Sequence, residues 1–232
     1  MSAAPDIRVG FWPVLYGLWT AVAISLAFAQ GGLSDANLTR LGVLVFLALQ
    51  IAFLRRLAGA FAGLAPRTRF VVYATLLAAV VEGLHMNSKP VFDSLRVTAG
   101  LPLTEGVRRY AIDLAFTVPA YLAIFGTIGW FIGRLRYALW PYVVIAGLAQ
   151  ALGDGGVVFF AGAPQLLAFL PYPMTNYHAC NVIPFLAVRD GLAPTRRAGA
   201  QGLLLIPAVI AVYFVCGAAI KAAGRALGFE AG

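Results

Sequence analysis

Charged residues are scarce in this chain, and their scarcity excludes most soluble proteins. They make up 11% of the 232 residues, whereas hydrophobic residues make up 61%. An average soluble domain carries about 25% charged residues, so too little polar surface is left here to cover a water-soluble body. Lipid must therefore be the main solvent. We expect an integral membrane protein, located in the inner (plasma) membrane of a bacterium.

Cysteine and histidine are also few, which argues against disulfide and metal chemistry. The two cysteines, Cys180 and Cys216, lie in apolar segments and show neither CxxC nor zinc-ligand spacing. The two histidines, His85 and His178, form no HExxH motif and are too few for a histidine-rich di-iron oxygenase. Neither a GxSxG elbow nor a P-loop occurs. We expect no metal and no other cofactor.

The positive net charge of +8 has a simple explanation in a membrane protein. Most arginines occur in short loops between apolar runs, a pattern typical of the positive-inside rule and of contact with anionic lipid headgroups. Nucleic-acid binding is not needed to explain it. The expected partners are membrane lipids and an apolar small-molecule substrate, with no nucleic acid. The pattern leaves the oligomeric state open.

Seven apolar runs have the length of about 20 residues that a spanning helix needs. They cover roughly residues 11–30, 38–58, 69–88, 110–133, 138–161, 165–188 and 200–223. No low-complexity segment, internal repeat or separate soluble domain interrupts them, so residues 1–232 form a single integral membrane domain. We predict an all-α fold, a polytopic membrane helical bundle with 6–7 transmembrane helices.

The sixth run, 165–188, is ambiguous because it is rich in proline and amide residues. Such a segment either crosses the membrane while facing other helices or dips in and returns. With an inside N-terminus and seven spans, ten Lys and Arg residues, Arg8 among them, fall inside and seven outside. A re-entrant sixth run changes the split to nine and eight. The positive-inside rule therefore favours seven spans.

Glu82 is the least expected residue in the apolar runs. A carboxylate inside a spanning helix costs roughly 2.5–3.5 kcal/mol, so it is usually retained for a function. His85 lies three residues further on and shares its helix face. The two side chains indicate a proton donor and acceptor in an apolar pocket. The alternative is an ion pair at the membrane interface, where His85 reaches the headgroups.

Other polar side chains recur at helical spacing, as the pairs Asp113/Thr117, Gln150/Asp154 and His178/Asn181. In the seven-span topology they lie at the depth of His85, and lipid cannot solvate them, so they should turn inward and pair. A favourable helix dipole, an N-cap and polar contacts between helices are the alternatives. The candidate catalytic residues are Glu82, His85, Asp113 and Asp154, and the candidate substrate-binding residues are Gln150, Asn176, Tyr177, His178 and Asn181.

Several of these motifs resemble the emopamil-binding, sterol 8,7-isomerase-like (EXPERA-type) membrane protein family. The first similar segment runs from Arg136-Tyr through an apolar run to Gln150-x-x-Gly-Asp and Phe-Phe160. The others are Glu82-Gly83, the stretch from Lys89 to Arg96 that contains Asp93-Ser94, and the stretch from Tyr177 to Pro184. The chain departs from the family at Ala78, where the family has histidine, and lacks the tryptophan expected in the last helix.

The resemblance implies a helical bundle that encloses an apolar cavity with acid–base residues. In that family a double bond of a sterol ring moves by protonation and deprotonation at different carbons, without a cofactor. By this analogy Glu82 is an acid or a base, and Asn176 or Asn181 has a supporting polar role. The similar region covers about residues 40–190.

We therefore hypothesise an intramembrane polar pocket for an apolar, sterol-like or isoprenoid-like lipid. If the protein is an enzyme, the reaction is a cofactor-free isomerisation or hydration by proton transfer. A proton-coupled transporter of a small solute, using the same carboxylates, is an alternative. A non-catalytic subunit of a larger membrane complex is another.

Overall fold

Helices follow the predicted apolar runs closely in the computed structural model, which describes residues 10–229. Arg8, used above in the charge count, lies outside the described residues. The helices are α1 (Phe11–Gly31), α2 (Asp35–Ala52), α3 (Leu54–Leu57), α4 (Pro66–His85), α5 (Leu103–Ile132), α6 (Leu139–Ala151), α7 (Val157–Gly162), α8 (Pro171–Val188) and α9 (Leu205–Ala226). Six segments are long and apolar enough to cross a membrane: α1, α2, α4, α5, the unit Leu139–Gly162, and Gly199–Ala226. The protein is an all-α, polytopic membrane helical bundle, as predicted.

Shorter elements link these helices. Short 3-10 helices cover Asp93–Leu95, Pro164–Phe169 and Gly199–Leu204, and a π-helical turn covers Leu152–Gly156. Two short strands, β1 (Leu135–Arg136) and β2 (Arg196–Arg197), pair in parallel between the loops that precede α6 and α9.

Helix α5 begins at Leu103, seven residues before the predicted run, because charge pairs stabilise its first turns. Glu105 accepts hydrogen bonds from Arg108 at 2.7 Å and from Arg109 at 2.9 Å. These i,i+3 and i,i+4 spacings place the partners on one helix face. The predicted start of this run, at about residue 110, was therefore too late. A hydropathy pattern does not detect a helical turn that is held by polar residues.

Helix α8 occupies the middle of the bundle and resolves the ambiguity of the sixth run. It is one continuous helix of 18 residues, 12 of them buried, packed against α1, α2, α4 and α6. At 1.5 Å per residue its length is about 27 Å, and the chain does not turn back within it. Its polar residues are tolerated because they contact other helices instead of lipid. The re-entrant alternative is therefore not the one the structure adopts.

The fifth candidate span is interrupted between α6 and α7. Asp154 has φ −77° and ψ 49°, outside helical values, and Gly155 has a positive φ of 84°. Glycine adopts this left-handed backbone conformation without the steric penalty that a side chain brings. Next to the break, a Cβ added at Gly153 would lie 2.5 Å from Tyr213 Cδ2, so α9 approaches the backbone closely here.

The two ends of the bundle differ in charge. Among residues 10–229, one end holds nine arginines and a single acid, Asp190, and we call it the arginine-rich end. The arginines are 55, 56, 67, 69, 134, 136, 189, 196 and 197. At the opposite end, the mixed-charge end, Lys89, Arg96, Arg108, Arg109, Lys221 and Arg225 lie among Asp35, Asp93 and Glu105. Glu82, Asp113 and Asp154 lie in the helices towards the mixed-charge end.

Candidate functional site

Glu82 lies in the last turn of α4 and is held by α5. The Tyr121 hydroxyl donates a hydrogen bond to Glu82 Oε2. Tyr110 of α5 packs against Gly83, the next residue of α4, where an added Cβ would lie 3.3 Å from the tyrosine ring. The Tyr110 hydroxyl donates a hydrogen bond to the Ala79 carbonyl at 2.6 Å. The glycine that follows Glu82 thus lets α5 approach α4 closely. The carboxyl group faces the neighbouring helix and not the headgroup region.

Asp113, on α5, lies next to Glu82 and is fully buried. Its Oδ1 accepts a hydrogen bond from the backbone N–H of Val91 at 2.7 Å, whereas no donor among the described residues reaches its buried Oδ2. The Glu82 and Asp113 carboxyl groups are within hydrogen-bonding reach of each other. Two carboxyl groups can form a hydrogen bond only when one of them carries a proton. A proton on either group would therefore allow the two to form a hydrogen bond.

The hydrogen-bond donors around His85 are fixed by a neighbouring arginine. Arg40 can only donate, and its Nη1 donates to Asn176 Oδ1. The Asn176 amide nitrogen therefore faces His85 Nε2, at 3.0 Å, and must donate to it. On the other side of the ring, His85 Nδ1 lies 2.8 Å from the Val81 carbonyl, which can only accept. His85 is thus a neutral imidazole with its proton on Nδ1.

Arg40 itself is a buried cation of α2, only 7% exposed. Its Nη1 also donates to Thr175 Oγ1 at 2.8 Å, and its guanidinium lies 4.3 Å from the centre of the Tyr172 ring. Within residues 10–229 no Asp or Glu forms an ion pair with it. A buried charge without a counter-ion is costly, and this cost is offset in part by the hydrogen bonds from Arg40 to Thr175 and Asn176 of α8.

Asp154 joins the site from the helix break. Tyr177 of α8 donates a hydrogen bond to Asp154 Oδ2 at 2.7 Å, and the Asp154 side chain is exposed. Asp154 is close enough to Glu82 and to His85 for their charges to interact. Three helices (α4, α5 and α8) and the break therefore bring together six candidates from the sequence: Glu82, His85, Asp113, Asp154, Asn176 and Tyr177.

The remaining three candidates lie in other contacts of the bundle. His178 Nε2 is hydrogen-bonded to the Tyr16 hydroxyl of α1 at 2.6 Å. Gln150 Nε2 donates to the Ala146 carbonyl at 3.2 Å, and Asn181 Oδ1 accepts from the Tyr142 hydroxyl at 3.2 Å. Within residues 10–229, none of these three side chains forms a hydrogen bond with Glu82, Asp113 or Asp154. The contacts of His178 and Asn181 are those of polar groups that stabilise helix packing, whereas the contact of Gln150 lies within α6.

Three residues of the site were missed by the sequence reasoning: Arg40, Tyr121 and Tyr213. Arg40 carried the same signal as Glu82, a charge inside an apolar run, and could have been found. Tyr121 and Tyr213 could not, because tyrosine is common in membrane helices and only the packing brings these two to the carboxyl groups.

A loop is anchored to the site through Asp113, which leads to a testable prediction. Asp113→Ala should leave the Val91 N–H without its acceptor and loosen residues 86–97, at a cost of about 1–3 kcal/mol of local stability. Hydrogen–deuterium exchange of this segment, followed by mass spectrometry, measures the change. Asp113→Asn keeps an acceptor oxygen at the same place and should retain slow exchange. Equal exchange in both variants would show that the hydrogen bond does not anchor the loop.

A cavity of about 360 Å³ does not coincide with this site. It lies at the arginine-rich end, lined by residues such as Arg136, Phe185 and Arg189. The hydrogen-bonded carboxyl groups identify the candidate site better than cavity size does, because buried acids that pair across helices are rarely retained without a function. No cluster of three His, Cys, Asp or Glu side chains suited to a metal ion occurs within residues 10–229.

Comparison with known proteins gives no relative: no protein-family model, no curated protein and no solved structure matches the chain. The resemblance to the emopamil-binding family therefore stays a prediction from short motifs. What the site can do follows from its own chemistry, which is a pair of neighbouring carboxyl groups beside a third, exposed carboxyl group, in helices that are apolar elsewhere.

Proposed function

We propose that the protein catalyses cofactor-free proton transfer on an apolar lipid within the membrane. The observation that carries this proposal is the pair of carboxyl groups of Glu82 and Asp113, held by Tyr121 and Val91. Acid–base catalysis requires one group that gives a proton and another that takes one, with different environments. The pair, of which Asp113 is fully buried and Glu82 half-buried, supplies the acid, and Asp154, exposed at the helix break, supplies the base.

The proposed reaction moves a carbon–carbon double bond. Glu82 gives the proton of the pair to one alkene carbon, whose π electrons form the new C–H bond and leave a carbocation at the other carbon. Asp154 takes a proton from a carbon next to the cation, and the electrons of that C–H bond form the new double bond. Asp154 then loses its proton to water, and the Glu82–Asp113 pair takes up a proton from water, so each turnover places a solvent hydrogen on carbon. In a hydration, water attacks the same cation and then loses a proton to Asp154.

His85 has a positioning role in this proposal and is not the base. Its Nε2 lone pair already accepts the Asn176 N–H, and its Nδ1 proton is bonded to Val81. The imidazole therefore links α4 to α8 and fixes the distance between Glu82 and Tyr177, which holds Asp154. This revises the initial hypothesis that Glu82 and His85 are the acid and the base.

The substrate class follows from the surroundings of the site. The carboxyl groups belong to helices that are apolar enough to span a membrane, so a substrate that reaches them arrives from the lipid phase. An alkene whose protonation gives a tertiary carbocation suits this chemistry, as in sterols and isoprenoids. The resemblance to the sterol isomerases supports the same class. We propose the inner membrane of a bacterium as the location, with the arginine-rich end facing the cytoplasm.

The experiment that tests this proposal follows solvent deuterium into lipids. Membranes that contain the protein are incubated in D₂O, and the extracted lipids are compared by mass spectrometry with those of membranes that lack it. Isomerisation and hydration both place a solvent hydrogen on carbon, so a lipid of the expected class should gain deuterium that is stable to washing in H₂O. If no lipid gains carbon-bound deuterium in the presence of the protein, the proposal is wrong.

The helix break favours a second candidate function, proton-coupled transport. Discontinuous membrane helices often form the substrate and ion sites of secondary transporters, and here Asp154 lies in such a break. Dependence on a proton gradient distinguishes the two functions experimentally. Lipid conversion proceeds in detergent without a proton gradient, whereas a carrier moves solute into proteoliposomes only when a gradient drives it. Uptake that depends on the gradient, together with no lipid conversion, would favour the carrier.

A further inference from the structure

The cavity at the arginine-rich end is lined by both charged and apolar side chains. The charged ones are Arg136, Arg189 and Asp190. The apolar ones include Ile132 of α5, Leu135 of β1, Leu139 of α6, Phe185 of α8 and Leu192 of the loop after α8. The cavity lies at the ends of these helices, next to the paired strands β1 and β2. In a spanning bundle this is the level of the lipid headgroups.

The two arginines that line the cavity are poorly neutralised by the protein. Arg189 Nε is buried and forms no hydrogen bond with the described residues. The nearest carboxylate oxygen among them is Asp190 Oδ1, at 3.4 Å, and the Asp190 side chain is 82% exposed. Arg136 forms no ion pair within residues 10–229, and its strand pairs with Arg196 and Arg197, which add further positive charge. Arginine 69, by contrast, donates three hydrogen bonds to backbone carbonyls at the same end. Arg136 and Arg189 therefore have donors to offer a ligand.

We propose that this cavity binds the headgroup phosphate of an anionic phospholipid. Guanidinium groups bind phosphate oxygens through paired N–H donors, and basic pockets between membrane helices on the cytoplasmic side are suited to anionic headgroups. The apolar residues of the lining favour a lipid over free phosphate, because they offer a surface to the first carbons of the acyl chains. The site is separate from Glu82 and does not depend on the proposed function.

The test compares phosphatidylglycerol with phosphatidylcholine, added to the detergent-purified full chain and counted by native mass spectrometry. The wild type should bind phosphatidylglycerol preferentially. In the double variant R136Q/R189Q this preference should fall by about 30-fold, since each arginine near an anionic lipid contributes roughly fivefold. The matched control R55Q/R56Q removes the same charge from exposed arginines at the same end, outside the cavity, and should keep the preference.

Two further measurements keep the proposal falsifiable. Leu192→Trp adds volume to the lining without changing charge and should also weaken binding of phosphatidylglycerol. Inorganic phosphate should fail to compete with the lipid. Equal losses in R136Q/R189Q and R55Q/R56Q would show diffuse charge attraction and overturn the proposal. Full competition by inorganic phosphate would overturn it as well, because the site would then be an anion site without a role for the lipid chains.

Discussion

Glu82→Gln should reduce the incorporation of solvent deuterium into lipid by about 100- to 10,000-fold, the usual contribution of a general acid or base. Glutamine keeps the size of the side chain and can still accept the hydrogen bond from Tyr121. It cannot give up a proton, so the pair with Asp113 loses its function. The protein should still insert and fold, because no buried volume changes. The rate of deuterium gain, divided by the amount of folded protein in the membrane, is the quantity to measure.

The matched control for this prediction is Glu105→Gln. Glu105 undergoes the same chemical change but lies in the first turn of α5, paired with Arg108 and Arg109 and away from the site. Its variant should convert lipid at the wild-type rate. Tyr121→Phe, which removes only the hydroxyl that holds Glu82, should give an intermediate rate. A Glu82→Gln protein that converts lipid as fast as the wild type would remove Glu82 from the mechanism.

Gly153→Ala should lower the stability of the protein markedly, because the added methyl group has no room beside α9. The new Cβ would lie 2.5 Å from Cδ2, 2.8 Å from Cγ and 3.0 Å from Cβ of Tyr213, so the base of that side chain, and with it α9, has to move. Inserting a methyl group into a packed interior costs about 1–3 kcal/mol. For a chain of this size each kcal/mol lowers the melting temperature by about 2–4 °C. Thermal unfolding in detergent, monitored by size-exclusion chromatography, measures the shift in melting temperature.

Two controls identify the cause of this loss. Gly217→Ala adds the same methyl group to α9 where nothing lies within 4 Å, and it should leave the melting temperature unchanged or slightly higher. The double variant Gly153→Ala/Tyr213→Ala removes the clashing ring. Gly153→Ala should therefore cause a smaller loss of stability in the Tyr213→Ala background than in the wild type. If adding the methyl group costs as much without the ring as with it, the close approach of α9 is not the cause.

The sequence was sufficient for the fold because hydrophobic runs determine where membrane helices lie. The α4 and α9 segments, for example, were located to within a few residues by hydropathy alone. The start of α5 was missed because polar pairs around Glu105 form its first turns. Helix α8 stayed ambiguous because its composition reflects contact with other helices, which no single-sequence pattern records.

The site was predictable only in part, because the sequence does not fix which helix faces meet. Glu82 and Asp113 were found, since a buried carboxyl group is costly wherever it lies. Asn176 and His178 seemed equivalent in the sequence, but two residues turn a helix by about 200°. They point to different neighbours, Asn176 to Arg40 and His85, and His178 to Tyr16. Grouping them in one pocket relied on proximity along the chain, whereas packing separates them.

Infrared spectroscopy tests most directly the claim that Glu82 and Asp113 share a proton. A protonated carboxyl group gives a C=O stretching band that a carboxylate lacks, and the band shifts when H₂O is replaced by D₂O. At neutral pH the wild type should show this band, and both Glu82→Gln and Asp113→Asn should abolish or shift it, while Glu105→Gln leaves it unchanged. A wild-type spectrum without the band, or a band that persists unaltered in both variants, would contradict the account.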